Sequence, residues 1–489
     1  MRNRRLVFST FTLFLLLLSN LHAQYALEGL RFSRTGLNGT ARYVSMGGAL
    51  GALGADFSNI SSNPAGLGFF RSSQFTLSPG FNFATSASNY QGTPQNDSRF
   101  TFQFGNLGAV FNKNMKKDRP EGLQHFNFAI GYNRTNSFNR SILISGDNTQ
   151  SSLGDLFAAS SNGLPPQNLN NFGEALAFNA FLIDTVPGGN GSTYFTNGPF
   201  GDELKRTSRQ ITSRGATGEI SLAVAANISH RLYIGASLGI VRLDYSEVSS
   251  YGETDVENII PGFSSLLFRE TLQVEGTGVN LRIGAIYRAN DWLRLGFALH
   301  TPTWMGLNES YQAFMETRFG SSVFTQNSSI GAFDYDLNMP WRWVGSVGLV
   351  LDKQAMLGIE YEYVDYSDME FRSSSPFFAE PINNFVDTTF SHAHQLRLGG
   401  EYRWDPWRFR AGFHYLGDPF RTPGGINRSI ESYTLGFGYR SRRWIWVDVA
   451  YMWQRTAGNE RIFRDFTNEA PADIRINNHL LTCTIGFVF

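Results

Sequence analysis

Arginines and carboxylates recur at alternating positions through the second half of the chain. Arg282, Arg294, Arg342, Arg397, Arg408 and Arg410 fall in the same kind of stretch as Glu360, Glu362, Glu401 and Asp448. A guanidinium offers a planar fork of N–H donors that meets a carboxylate in two parallel hydrogen bonds. Two uses fit that chemistry: internal ion-pair networks, or capture of the acidic head group of a small molecule. His392 and His394 form a His-x-His pair on one strand face. Two imidazoles so placed suit a metal, but no third ligand accompanies them and a place at a rim fits as well. No nucleophile elbow or metal-hydrolase spacing occurs, so no catalysis and no cofactor are implied. The lone Cys483 excludes an internal disulfide and any Cys-x-x-Cys site.

The elements that carry these charges alternate with period two. In "WRFRAGFHY", Trp407, Phe409, Ala411, Phe413 and Tyr415 share one face, while Arg408, Arg410, Gly412 and His414 share the other. "QLRLGGEYRW" and "EISLAVAANI" behave alike. Successive strand residues point to opposite faces, so each segment is a two-faced strand. A soluble sandwich also alternates, with its apolar face inward. Here the strands read as about 10 to 13 residues, a length that crosses a tilted bilayer. Tyr402/Trp404, Trp341/Trp343, Trp444/Trp446 and Tyr451/Trp453 crowd their ends, as an interfacial girdle does. The expected fold is an all-β, transmembrane, antiparallel β-barrel of about 14 strands, with starts from Gln74 to Asn477 and an eighth near Asp334. Short turns at 229–230, 290–291, 352–353, 405–406 and 442–443 fit the periplasmic side. The longest loop, about 145–213, is expected to be extracellular. Within it "NNFGEALAFNAFLID" reads as an amphipathic helix, with Phe172, Ala175, Leu176 and Leu182 on one side.

Residues 1–23 read as a signal peptide: Arg2, Arg4 and Arg5, then an apolar run through Leu18, then cleavage after Ala23. No Cys follows to take a lipid anchor, and no later apolar run is long enough for a spanning helix. The 41 basic and 41 acidic residues balance, which argues against a nucleic-acid partner. The expected location is the bacterial outer membrane, with its lipids as partners.

About 50 residues, 24–73, precede the first strand, and small residues dominate "VSMGGALGALGADFSNISSNPAGLGFF". A barrel of about 14 strands encloses more space than its own side chains fill. The simplest use of this compact segment is as a plug, or hatch, in the lumen, leaving 74–489 as the barrel. Asn63-Pro64-Ala65, just before strand one, resembles the hatch motif of the FadL/TodX (OMPP1) family of outer-membrane transporters of hydrophobic compounds. "FNFAIGYNRTNSF" sits where that family has an inward-kinked third strand. The "MPWRWVGSVGLV" and "HAHQLRLGGEYRW" segments fall in its later hairpins, and the likeness covers nearly the whole mature chain. The terminal Phe487 and Phe489 resemble the signal read by the barrel-assembly machinery.

The resemblance implies passive uptake of a hydrophobic small molecule, a long-chain fatty acid or an aromatic or hydrocarbon-like compound. It would pass through a lumen pocket and leave sideways at a kink in strand three. The kink falls on Asn133, Arg134, Thr135, Asn136 and Ser137. Strict alternation would point Arg134 and Asn136 at lipid, a conflict that a bulge removes; the same polar run also suits an outer rim. Asn63-Pro64-Ala65 has a second reading as a capping turn. Trp304, Met305, Phe314 and Met315 read as an exposed loop, either a capture groove or a self-packed loop. Where fatty-acid members of the family place a cation after strand five, this chain has Glu247 to Ser250 and none. The rival from another class is a protein-interaction barrel whose loops dock a secretion or surface protein.

Overall fold

The structure is a computed structural model that describes residues 23–489 except 116–120, 190, 353, 423–426, 442–443 and 464–468. The signal-peptide reading lies outside the described residues but for Ala23, and the turn readings at 352–353 and 442–443 lie partly or wholly outside them.

Fourteen strands close on themselves. They are β1 (Gln74–Tyr90), β2 (Thr93–Asn114), β3 (Leu123–Ser137), β4 (Lys205–Ile228), β5 (Leu232–Thr254), β6 (Phe263–Arg288) and β7 (Leu293–His300). The circuit continues with β8 (Arg342–Leu351), β9 (Ala355–Asp365), β10 (His392–Trp404), β11 (Trp407–Leu416), β12 (Ile430–Arg440), β13 (Ile445–Glu460) and β14 (Ala472–Val488). Each pairs antiparallel with the next, and β14 returns to β1, from Gln74↔Val488 to Asn89↔Asp473. Closure leaves no lipid-facing sheet edge where every neighbour is paired.

The alternation is inside-out relative to a soluble protein. On β9, Leu357, Ile359 and Tyr361 are each 45% exposed, while Glu360 and Glu362 are buried. Apolar side chains outward and charges inward fit a barrel whose solvent is lipid. Trp404 and Trp444 are exposed as girdle residues should be, but Trp446 turns inward and is buried, with Arg440 over its ring. Trp444 and Trp446 part because Trp444 precedes the strand, which starts at Ile445 with that residue facing outward and so turns Trp446 inward.

The strands outgrow the bilayer. β5 has 23 residues and β6 has 26, where about 10 suffice to cross. Their ends build a collar above the girdle, completed by a hairpin strand, Trp304–Phe319, that pairs with β6 from Val279 to Phe263. The expected eighth strand near Asp334 is part of this collar: Gly331–Asn338 pairs with Trp304–Tyr311, and the barrel strand is β8.

Among the described residues, five α-helices accompany the strands: α1 (residues 23–33), α2 (Ala41–Ser45), α3 (Leu153–Ser161), α4 (Glu174–Asn179) and α5 (Pro376–Thr389). Of the long 145–213 stretch, only the middle is free of the barrel. Arg140–Asn148 pairs with the start of β4. The expected amphipathic helix is the single short α4, with Leu176 and Leu182 buried and Phe172 and Ala175 packed at the edge. With α3 it forms an apolar cap against Tyr251, Phe268 and Met315 at the long-loop end. A second apolar cluster joins α1 and α5 to β5, β6 and the collar through Leu30, Phe32, Tyr245 and Val386.

Candidate functional site

Residues 34–70 run through the lumen, and the barrel's inward faces are cut to receive them. Gly235 and Gly284 leave room where any Cβ would strike Pro64 and Asn63. Phe57 lies over Gly108 and Gly131 in the same way. Asn63 is the N-cap of a 3₁₀ helix, Pro64–Phe69, with Pro at its first position, where a missing N–H costs nothing. Its side-chain oxygen accepts from Ala65 N at 3.1 Å, and its amide donates to Gly51 O at 2.9 Å. The capping reading and the lumen placement are therefore true of the same three residues.

The six arginines divide by partner. Arg342 donates to Glu362 at 2.7 Å, and Arg397 pairs with Glu362 at 2.7 Å and with Glu360. Arg410 bridges Glu401 at 2.7 Å and Asp448 at 2.8 Å, and Arg282 pairs with Glu219. Arg408 meets Asp405 at 2.6 Å near the short-turn end. Arg294 lies 4.5 Å over the Phe69 ring and donates to Leu53 O at 3.0 Å. Four hold carboxylates of the wall itself, Arg408 holds an acid of a short turn, and Arg294 holds the lumen segment. That segment joins the network: Arg42 donates to Glu401 at 3.0 Å, and Glu360 accepts from Gly51 N at 2.8 Å and Ser62 Oγ at 2.7 Å. Buried charges of this kind hold only when every partner is in place.

Toward the long loops the lumen opens into a cavity of about 490 Å³. Leu27, Leu30, Phe138, Met452, Ile474 and Leu480 give it apolar surface, and Arg31, Arg34, Arg140 and Arg428 give it charge. Gln103 and Asn136 bring it to the wall beside β3.

There the wall is broken. β2 pairs with β3 only from Asn114↔His125 to Asn106↔Asn133. The β3–β4 register then slips between Arg134 and Asn136, the mark of a bulge at Thr135. Thr135 O accepts from Gly36 N at 2.7 Å, and Asn136 donates to Arg34 O at 3.0 Å and Arg31 O at 3.3 Å. Asn133 is held by Ser61 at 3.0 Å, and Arg134 caps Phe104 O at 3.3 Å. Past the bulge the chain runs inside the wall: Ser86 and Ser88 of β1 donate to Ser141 O and Leu143 O at 2.6 and 2.5 Å. Residues 93–105 of β2 consequently pair with β1 alone, and Phe100, Phe102 and Phe104 stand exposed along that side.

The remaining sequence candidates lie elsewhere. Trp304, Met305, Phe314 and Met315 are not in a loop: they belong to the collar strand, where period two sends Met305 and Met315 into two separate buried clusters and leaves Trp304 outside. Arg269 lies over the Phe314 ring at 5.5 Å. Among the described residues, no group of three His, Cys, Asp or Glu could hold a metal; His394 instead meets the Tyr361 hydroxyl at 2.6 Å, and its ring lies 5.1 Å from that of His392 on the outer face. Phe487 and Phe489 are exposed at the short-turn end, where Phe489 N donates to Ser73 O at 3.0 Å. Sequence reasoning missed Arg31 and Arg34. The signal was there: Leu27, Leu30, Arg31 and Arg34 recur at three- and four-residue steps, one stripe of a helix.

Comparison with solved structures places the fold. A Pseudomonas aeruginosa FadL homologue superposes with a TM-score of 0.56 at 14% identity, over 93% of this chain and 99% of that one. The monoaromatic hydrocarbon channel CymD gives 0.51 at 15%, over 93% and 99%. The Pseudomonas putida toluene transporter TodX gives 0.51 at 14%, over 93% and 99%. No curated protein sequence matches the chain. The profile described as "Outer membrane protein transport protein (OMPP1/FadL/TodX)" matches residues 186–489, more than half of the length. The chain therefore belongs to the OMPP1/FadL/TodX family of outer-membrane transport proteins.

Proposed function

We propose that this protein carries a hydrophobic small molecule into the outer membrane through the lumen cavity and out sideways beside β3. The observation that supports this most is that the cavity and the break in the wall share Gln103, Asn136 and Ser137. An apolar molecule gains nothing from a water-filled pore, whereas each Å² it buries in lipid is worth roughly 25 cal/mol. Residues 24–73 act as the hatch: Gly36 and Arg34 clamp the bulge, and Asn63-Pro64-Ala65 anchor the far end. Long-loop connections face outward and short turns face the periplasm. Trp304 and Phe314, on the collar's outer side, take first contact with the ligand. Phe487 and Phe489 serve assembly by the barrel-assembly machinery.

Purification in mild detergent, organic extraction and mass spectrometry against an unrelated barrel test the reading. A selectively enriched apolar compound is expected. A stoichiometric protein with no enriched compound would overturn it and leave the lumen segment a structural plug.

A further inference from the structure

A second cavity, of about 670 Å³, lies on the outside of the collar. Strand register gives its height. Ile240 of β5 pairs with Val279 of β6, and Val279 pairs with Trp304 of the collar. All three are exposed, and below them Leu238 and Leu281 continue the outward apolar face. On these strands Ile240, Val279 and Trp304 are therefore the last row of the lipid-facing band. The next outward row, two residues further along each strand, runs Arg242, Thr277, Gly306, Asp336 and Arg372. The row after it runs Asp244, Glu275, Asn308 and Asp334. The cavity lies on these two rows, at the level where lipid head groups meet the wall.

Its shape and chemistry suit a saccharide. Gly306 leaves a recess in the middle of its row, where a Cβ would meet nothing nearer than Asp336 Oδ1 at 3.5 Å. Five strands side by side, about 4.8 Å apart, put roughly 19 Å between the chains of Arg242 and Arg372. That is room for more than one sugar ring and more than a single acyl chain fills. Two arginines, Arg242 and Arg372, share the lining with three carboxylates, Glu275, Asp334 and Asp336. A phosphate would meet that excess of negative charge. A sugar hydroxyl donates to a carboxylate and accepts from a guanidinium, with no charge of its own to repel. Asn308 donates to Asp334 at 2.8 Å and Arg372 to Glu370 at 2.7 Å, which orients the polar groups of the row.

We infer that this groove binds the saccharide head group of an outer-leaflet glycolipid, whose acyl chains lie against Ile240, Val279 and Trp304 below. The contact sets the collar's height above the bilayer. It needs only the outer-membrane location and does not rest on uptake through the lumen.

The test is native mass spectrometry of the full-length protein in mild detergent, titrated with three lipids. They are lipid A (an acylated, phosphorylated glucosamine disaccharide), the same lipid stripped of phosphate, and phosphatidylglycerol. Both sugar lipids should be held about tenfold or more tighter than phosphatidylglycerol. Gly306→Phe fills the recess at a position with space for a side chain and should erase that preference, as should Glu275→Ala with Asp336→Ala. Gln273→Ala, exposed one row further up beside Ser246 and Ser310, should keep it. Heat-modifiable gel mobility confirms that each variant is a folded barrel. The assignment is wrong if phosphatidylglycerol is held as tightly as the sugar lipids, or if only the phosphorylated form is preferred. It is equally wrong if the preference survives Gly306→Phe or is lost with Gln273→Ala.

Discussion

Asn63 joins three parts of the molecule with one side chain. It caps its own 3₁₀ turn, ties back to Gly51, and reaches Ala285 O of β6 at 3.4 Å. Replacing it with Ala removes the cap, worth about 1 kcal/mol, and strands the Gly51 carbonyl, worth a further ~1–3 kcal/mol. Asn63→Ala should leave the barrel folded but make residues 24–73 cleavable by protease at concentrations that spare the wild type. Asn-Pro-Ala was legible because a cap and a proline at the first helical position are local rules. Arg34 was not, because the groups that act on its side chain, Tyr366, Asp418 and Arg428, are distant along the chain. The six arginines show the same limit. Period two put them inward, but only the folded lumen reveals that four of them are committed to wall carboxylates.

Among the elements, β3 carries the proposed exit. Its polar run was readable as a conflict with lipid, and the bulge at Thr135 is the resolution. Deleting Thr135 restores strict register, so β3 should continue upward beside β2 and shut the break. Uptake of an apolar probe by cells should fall to background with the barrel still assembled; unchanged uptake would place the exit elsewhere. α1 carries a second, pH-dependent device. The Glu28 carboxyl is pushed up to about 8 by burial, and then by the neighbouring Glu309. A carboxyl whose docked value exceeds its free value of 4.5 binds its proton more tightly when docked. Its contribution to docking is full at pH below the free value and is lost as pH rises through about 8. Protease access to α1 should therefore increase from mildly acidic to alkaline pH, and Glu28→Gln should flatten that profile. The collar was hidden from the sequence because it pairs with the extensions of long strands, where the alternation continues past the membrane and gives no stop signal.

At the scale of the whole molecule, barrel and lumen segment are complementary surfaces. The strand count and the inside-out pattern could be read from the sequence, since closure and lipid impose them on every strand. The fit of the segment could not, because it lies in missing side chains such as those of Gly235 and Gly284. Gly235→Val with Gly284→Val should push the 3₁₀ turn at Pro64 off the wall, and planar-bilayer recordings should show a steady ion current absent from the wild type.

On the proposed route, ligand leaves between the lumen segment and the edge of β2. Asn38 and Gln103 face each other across that path, 3.4 Å apart. In a Cys483→Ser background, Asn38→Cys and Gln103→Cys can be bridged by a short, reducible bis-thiosulfonate linker, and uptake of labelled dodecanoate and labelled toluene followed in the same cells. At least one probe should enter above the empty-vector background, stop on bridging and resume on reduction. Entry that ignores the bridge, or no entry of either probe, would contradict that route.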